Sequence, residues 1–526
     1  MFLIQENYSM NRFEHLARAK KEIFDVCIIG GGITGAGVLA NAMERGWNAI
    51  LIDKGDFASG TSSRSSKMVH GGLRYLRNLQ FGMVHEALKE RGHILNQFPH
   101  LVKPVPFLLP SYGSSIDLWI KDVVLSVYDR LAGKSKIPPH VRLTANEVQQ
   151  KLPGIDNKNL KGGILYYDAW TNDARLTLDV ISESLQNGAS AINYLEVKAF
   201  DVKNDAVQSI KCLDTITEEE ISIRAKVFIN ATGVWTDEVL QRLTGKTSAT
   251  LQPSKGIHVV IPSNRLPKDC VAIVASVTDD KRFLYTLPWE HGLTILGATD
   301  TDYKGKADEV LTDMNDVQYV LDSFNTGFPS ANLTVKDVVS VFAGLRPMLK
   351  VEDDKGAYGR SREYSIWWNK QNLLTIAGGK LTSFLSMGKN CMNLAEERFK
   401  ASPAKKATSN KYKGHWSSIY GEFGKFVEDI IGENPEHASL IDPKYDYTET
   451  EIIFFCRYQF AQHLSDMLTR RTSITYAMKE YDEQLLNKLA SLMASELNQT
   501  EAWKEEQKRN YRQHWLEYHP SFLSNN

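Results

Sequence analysis

The stretch Asp25-Val26-Cys27-Ile28-Ile29-Gly30-Gly31-Gly32-Ile33-Thr34-Gly35-Ala36-Gly37 decides how this chain folds. Val26 to Ile29 is a short apolar run of the kind a parallel strand needs when both its faces are buried. Gly30, Gly32 and Gly35 follow at the spacing of a dinucleotide-binding turn. Gly30 permits the tight turn, Gly32 lets the backbone approach a pyrophosphate, and Gly35, with Gly37, lets the next helix pack closely on the strand. That helix, predicted over Thr34 to Arg45 and stopped by Gly46, offers its N-terminal N–H groups and positive dipole end to phosphate. Ala49 to Ile52 reads as the second strand. Asp53 ends it, where a carboxylate can accept both ribose hydroxyls of an adenosine. A lone G-x-G-x-x-G is weak evidence, and its plain alternative is a glycine-rich turn in some other βαβ unit. The strand before it, the helix after it and the acid at the right distance predict a Rossmann-like α/β unit.

The 526 residues suffice for two or three domains. Lys plus Arg number 62 against 63 Asp plus Glu, a balance that lacks the basic excess of a nucleic-acid binder. Five scattered cysteines, Cys27, Cys212, Cys270, Cys391 and Cys456, have no C-x-x-C spacing, so neither a disulfide framework nor a metal site is expected, and a reducing compartment is. No run approaches the ~18 apolar residues of a membrane span. The apolar cluster Met1 to Ile4 is too short for a signal peptide. Residues 11–21 read as a short basic amphipathic helix ahead of the first strand.

Two further apolar runs end in small residues: Lys226 to Asn230 before Ala231-Thr232-Gly233, and Asn372 to Ala377 before Gly378-Gly379-Lys380. They predict one sheet assembled from distant segments whose strands end near a cofactor. The expected organisation is an N-terminal extension over 1–23 and a nucleotide-binding main domain over 24–400. Within that domain, cofactor-binding segments lie near 24–100, 161–254 and 341–400, and substrate-covering antiparallel segments near 101–160 and 255–340. A linker over 401–414, rich in Lys, Ser, Thr, Ala and Asn, leads to a helical domain over 415–526. Ile116 to Leu131 is strongly apolar with scattered charges. It reads as a helix packed in the inserted domain, with a membrane-surface helix as the alternative.

Residues 57–76 concentrate hydroxyls, glycines and bases just after Asp53, including Thr61, Ser62, Ser66 and His70-Gly71-Gly72. Such a loop suits a pyrophosphate and a flavin ring, because hydroxyls and backbone N–H groups are neutral donors. A solvated surface loop is the plainer reading of its serines and glycines. His70-Gly71-Gly72 leading into Leu73-Arg74-Tyr75 is unusual for an exposed linker. Gly-Gly-Lys-Leu-Thr at 378–382 is not a phosphate-binding P-loop, since the lysine is not followed directly by Ser or Thr.

Nine segments together resemble the FAD-dependent glycerol-3-phosphate dehydrogenases, in order and across the whole chain. They are Gly30-Gly31-Gly32-Ile33-Thr34-Gly35-Ala36-Gly37, Thr61 to Lys67, His70 to Leu76, Asp173-Ala174-Arg175-Leu176 and Asn230 to Trp235. The rest are Lys255-Gly256-Ile257-His258, Gly297 to Asp302, Gly344-Leu345-Arg346-Pro347 and Ala377 to Thr382. The stretch Arg457 to Thr472 is similar to the C-terminal helical domain of that family. Thr34, where the family commonly has Asn or Ala, and the extension before Phe24 are departures.

The resemblance implies a Rossmann-like FAD-binding fold of the D-amino-acid-oxidase and glutathione-reductase type, an antiparallel substrate-covering domain and a C-terminal helical domain. It implies oxidation of sn-glycerol 3-phosphate to dihydroxyacetone phosphate, with electrons passed to a quinone from a cytoplasmic, peripheral position on the inner face of the cell membrane. A homodimer is left open. FAD would be held by Gly30, Gly32, Gly35, Asp53, Thr61, Ser62, Ser66, His70, Gly71, Gly72, Gly233, Gly379 and Thr382. The dianionic substrate requires fixed cations, and Arg74, Arg346, Arg362 and Lys380 are the candidates, with Tyr75 and His258 beside them. His258 is the candidate general base, because a neighbouring cation keeps an imidazole neutral. Arg346 or Lys380 would stabilise the developing alkoxide. An oxidase that passes electrons to oxygen is the alternative, and an amino-acid oxidase of the same broad fold the more distant one.

Overall fold

A computed structural model describes residues 11–73, 81–133, 137–277, 282–350, 363–400 and 413–523. Ile23–Ile29 is central to a sheet of eight strands. It pairs in parallel with Ala49–Ile52 on one side and with Glu220–Asn230 on the other. Ser190–Ile192 and Leu373–Gly378 extend the parallel array outward, and Tyr364–Lys370 closes one edge antiparallel. Ile29, Ile52 and Asn230 lie in register, so the carboxyl ends of the three central strands meet at one level. A ligand of an open parallel sheet binds at such an end. Every residue from Phe24 to Ile29 is buried, which explains why the run reads as continuously apolar.

The fingerprint helix spans Ile33–Glu44, within a residue of the expected Thr34 to Arg45. Gly30 turns the chain at φ +112°, and a Cβ there would stand 2.6 Å from the Ala231 carbonyl oxygen. Gly35 allows the close helix–strand approach, because a Cβ at that position would overlap the Gly30 carbonyl oxygen. On its outer side the helix packs against Phe384–Glu396.

The second sheet has ten strands, almost all antiparallel. Ser254–Pro262 stands between Leu293–Gly297 and Ser340–Arg346, and Lys103–Tyr112 pairs along its whole length with Leu160–Trp170. Two assignments need correction here. The strand Leu160–Trp170 and the strand Ser340–Arg346 were expected in cofactor-binding segments 161–254 and 341–400, and both belong to the antiparallel sheet. Met68–Val69, from the first segment, joins its edge. The physical reason is that both strands are buried along nearly their whole length, and local sequence does not tell which of two sheets a covered strand joins.

From Ser417 onward the chain is mainly helical, with one hairpin, Leu440–Asp442 against Tyr445–Thr448. Phe454, Phe455, Leu468 and Met493 join the same buried cluster as Val26 and Leu51. The C-terminal unit therefore completes the core of the parallel sheet. The linker expected over 401–414 falls largely outside the described residues.

Candidate active site

A cleft opens at the carboxyl ends of the central strands. Gly30, Gly32, Ile33 and Thr34 border it from the fingerprint turn, Asp53 from the second strand, and Thr61, Ser62 and Ser65 from the hydroxyl-rich loop. Thr232 and Gly233, with Gly379 and Lys380, complete the rim. The first turn of the fingerprint helix thus faces the cleft with the N–H groups that an α-helix leaves without internal partners. Ser62 Oγ accepts one of them, from Ile33 at 2.9 Å. Ser62 therefore caps the helix, since the N-cap residue, Gly32, has no side chain to do so.

Asp53 accepts N–H bonds from Gly31 at 2.6 Å and from Gly55 at 2.8 Å. Burial pushes its carboxyl up to about 6 despite those bonds. A half-buried carboxylate with lone pairs to spare suits incoming hydroxyl donors, and this end of the cleft fits an adenosine ribose.

The hydroxyl-rich loop is fixed from below. Buried Lys67 donates to the Ser63 carbonyl and, at 2.6 Å, to Asp173, which also accepts from Ser65 Oγ at 2.6 Å. Thr61 Oγ1 donates to the Leu345 carbonyl at 2.7 Å. Next along the chain, His70 N–H donates to Thr382 Oγ1 at 3.2 Å, which ties the loop to the segment after Leu373–Gly378. Gly71 N–H reaches Tyr128 Oη and Asp168, at 3.0 and 3.1 Å, and Gly72 N–H reaches His70 Nδ1 at 3.1 Å. Arg91 in turn pairs with the buried Asp168.

His258 and Arg346 come from neighbouring strands of the antiparallel sheet. His258 is buried, stacked on Phe342 at 4.6 Å between centroids, and its Nε2 shares a hydrogen with Ser66 Oγ at 3.0 Å. Its Nδ1 has no hydrogen-bond partner among the described residues. Burial first, and then the charges of Arg346 and Lys67, hold the imidazole well below its usual range, so it is neutral at pH 7. Arg346 donates to Asp300 at 3.2 Å and to the Thr299 carbonyl at 3.0 Å. Its guanidinium lies over Gly256, where a Cβ would meet it at 2.5 Å, which accounts for the glycine two residues before His258.

The structure thus gathers Gly30, Gly32, Asp53, Thr61, Ser62, Gly233, Gly379 and Lys380 around one cleft. Ser66 adjoins His258, while Thr382, His70, Gly71 and Gly72 form the bonded loop beside it. Gly35 lies behind the cleft, against Gly30. Arg74, Tyr75 and Arg362 lie outside the described residues. Lys67 and Asp173, quoted as motif residues but given no role, anchor the loop. A lysine among serines with no acid nearby in sequence was the available signal. Asp168, Arg91 and Tyr128 carried none, because the three come together only in the fold.

The model of the FAD dependent oxidoreductase family matches residues 25–388. The chain belongs to that family. In this FAD-dependent oxidoreductase a second model, the C-terminal domain of alpha-glycerophosphate oxidase, matches residues 374–508. The chain is 34% identical to an aerobic glycerol-3-phosphate dehydrogenase of Staphylococcus aureus, covering 94% of this chain and 95% of the relative. It is also 34% identical to the protein of that name from Staphylococcus saprophyticus, over 93% and 94%. Among solved structures it is similar to a glycerol-3-phosphate dehydrogenase from Bacillus halodurans complexed with FAD. The TM-score is 0.78 at 25% identity, covering 97% of this chain and 98% of that one. Glycine oxidase from Geobacillus kaustophilus, at 18% identity and TM-score 0.54, shares the fold over 74% of this chain.

Proposed function

We propose that the chain is an FAD-dependent glycerol-3-phosphate dehydrogenase. In this reading it oxidises the secondary alcohol of sn-glycerol 3-phosphate to dihydroxyacetone phosphate. The observation that carries this is the match to dehydrogenases of that name over 94% of the chain, together with the match of residues 374–508 to the C-terminal domain of alpha-glycerophosphate oxidase. The cleft fits FAD on its own evidence, with a glycine turn, a helix N-terminus and a half-buried carboxylate in the order a dinucleotide needs. Bound FAD would supply the hydride acceptor.

The protein's own residues have defined tasks in this proposal. The fingerprint turn would hold the pyrophosphate and Asp53 the ribose, and the loop held by Lys67, Asp173 and Asp168 would hold the flavin. Neutral His258 accepts the proton of the substrate hydroxyl as the hydride leaves the same carbon. Arg346, held by Asp300, stabilises the developing alkoxide. Lys380 binds the substrate phosphate as a point charge, with Arg74 and Arg362 completing the cationic pocket and Tyr75 beside them. Electrons then pass to a quinone, and the chain attaches peripherally to the inner face of the cell membrane. Among the described residues no helix is long and apolar enough to cross a membrane.

The test is an anaerobic visible spectrum of the flavin-loaded protein. Bleaching by sn-glycerol 3-phosphate, and not by glycerol or glycine, is the expected result. A flavin band that this substrate leaves unchanged would sink the assignment. Reoxidation rates with a soluble quinone and with oxygen then separate a dehydrogenase from an oxidase.

A further inference from the structure

His258 is enclosed on nearly every side. It is 3% exposed, its ring stacks on Phe342, and a Cβ on Gly297 would stand 2.6 Å from its Cδ2. Nδ1 is buried without a hydrogen-bond partner among the described residues. Nε2 is therefore the ring's one polar outlet, and Ser66 Oγ stands on it at 3.0 Å. A base must present a lone pair to the proton it takes. Were that lone pair on Nδ1, it would face packed protein, and Nε2–H would point at Ser66. His258 can thus act as a base only as the Nδ1–H tautomer, with Ser66 Oγ–H donating to Nε2.

The loop fixes Ser66 for that bond. Ser65 Oγ before it donates to Asp173 at 2.6 Å, and Lys67 Nζ after it donates to the same carboxylate at 2.6 Å. Lys67 also holds φ +57°, in the left-handed region that a lysine occupies only where its surroundings impose it. Ser66 itself is half-buried, and its Oγ makes no second hydrogen bond among the described residues. A hydroxyl that donates to a nitrogen keeps acceptor capacity for another donor.

We propose that Ser66 is the proton relay between the substrate hydroxyl and His258. The proposal rests on the alcohol-oxidising reading given above and names the group that meets the hydroxyl. As the substrate O–H bond breaks, an O–H bond forms on Ser66 Oγ. The proton that Ser66 carried before moves to His258 Nε2, and the ring becomes imidazolium. The electron pair left on the substrate oxygen closes the carbonyl as the C2 hydride departs, with its own pair, to the bound flavin. Ser66 is neutral before and after the transfer. Arg346 and Lys67 disfavour the imidazolium, so they drive its proton back out through the same hydroxyl once product has left. This task is distinct from the flavin-holding one that the family resemblance implies for Ser66.

The test follows flavin bleaching by sn-glycerol 3-phosphate in anaerobic stopped flow, with full-length, FAD-loaded protein. Ser66→Ala is expected to lower the limiting reduction rate about 100-fold, with the dissociation constants of substrate and FAD within about threefold of wild type. Ser66→Thr, which keeps a hydroxyl, should recover to within about tenfold of wild type. Groups that act as one unit are not additive, so adding Ser66→Ala to His258→Asn should cost less than about twofold more. A Ser66→Ala protein reduced at the wild-type rate overturns the relay and leaves His258 taking the proton directly. Weaker FAD binding, with the rate of the loaded protein preserved, assigns Ser66 to the cofactor and likewise overturns it. So do two losses that multiply in the double variant. A wild type that the substrate does not bleach fails earlier, at the alcohol-oxidising reading, and takes the relay with it.

Discussion

His258 stays neutral through its burial and through the two cations, Arg346 and Lys67, set near it. A base whose pKa is lowered remains unprotonated further into acid, so the acid limb of kcat should lie below pH 6.5. It is read in kcat because the substrate phosphate itself titrates near ~6. Replacing the ion pair by the neutral Lys67→Met/Asp173→Asn should move that limb upward, since one repelling cation is gone. A limb that stays in place would show that burial and Arg346 set it without Lys67. His258→Asn should keep its flavin and lose on the order of 10²–10⁴ in kcat. Asp53 gives a pH dependence of a different kind. Its carboxyl, raised to about 6, becomes a poorer acceptor for ribose hydroxyls once protonated. FAD affinity should therefore fall as pH drops through that value, and Asp53→Asn should bind FAD more weakly with no such dependence, measured by flavin fluorescence on titration.

Among the elements, the short π-helical segment Asp466–Arg471 joins the C-terminal unit to the cofactor domain. Arg470 Nε donates to Asp56 at 2.6 Å, Arg471 grips the same carboxylate with both terminal nitrogens, and Arg470 also reaches Asp466 at 2.6 Å. All four groups are buried, so losing one charge leaves an uncompensated cation. Asp56→Asn should cost about 3–5 kcal/mol, seen as a lower melting temperature, and an unchanged melting temperature would refute the role given to this cluster. This cluster also marks the limit of what sequence shows. The strand, turn and helix from Ile23 to Glu44 were legible because periodicity and glycine spacing are local properties. Leu293–Gly297 was legible for the same reason. That Asp56 pairs with Arg471, or that Leu160–Trp170 joins the antiparallel sheet, depends on partners far along the chain, and no local pattern carries that information. At the candidate site the glycines and hydroxyls of the cleft were readable as motifs. The capping role of Ser62 and the anchoring role of Asp173 became visible only with their partners in place.

In the whole molecule, the parallel sheet is threaded from segments that the second sheet interrupts. A chain ended after Lys370 would keep the complete fingerprint and Asp53 but lack Leu373–Gly378, Gly379 and Lys380. It should fail to retain FAD in gel filtration, and retention would show that the last strand is dispensable to the site. The same threading bears on how the protein is made. Ile29 leaves the ribosome early, yet the outer parallel strand Leu373–Gly378 is synthesised far later, a wait on the order of 20–70 s at about 5–20 residues per second. Until then the central strand Ile23–Ile29 stands in an unfinished sheet. The cleft, which needs Gly379 and Lys380 to close its rim, is therefore complete only after that last parallel strand has been made.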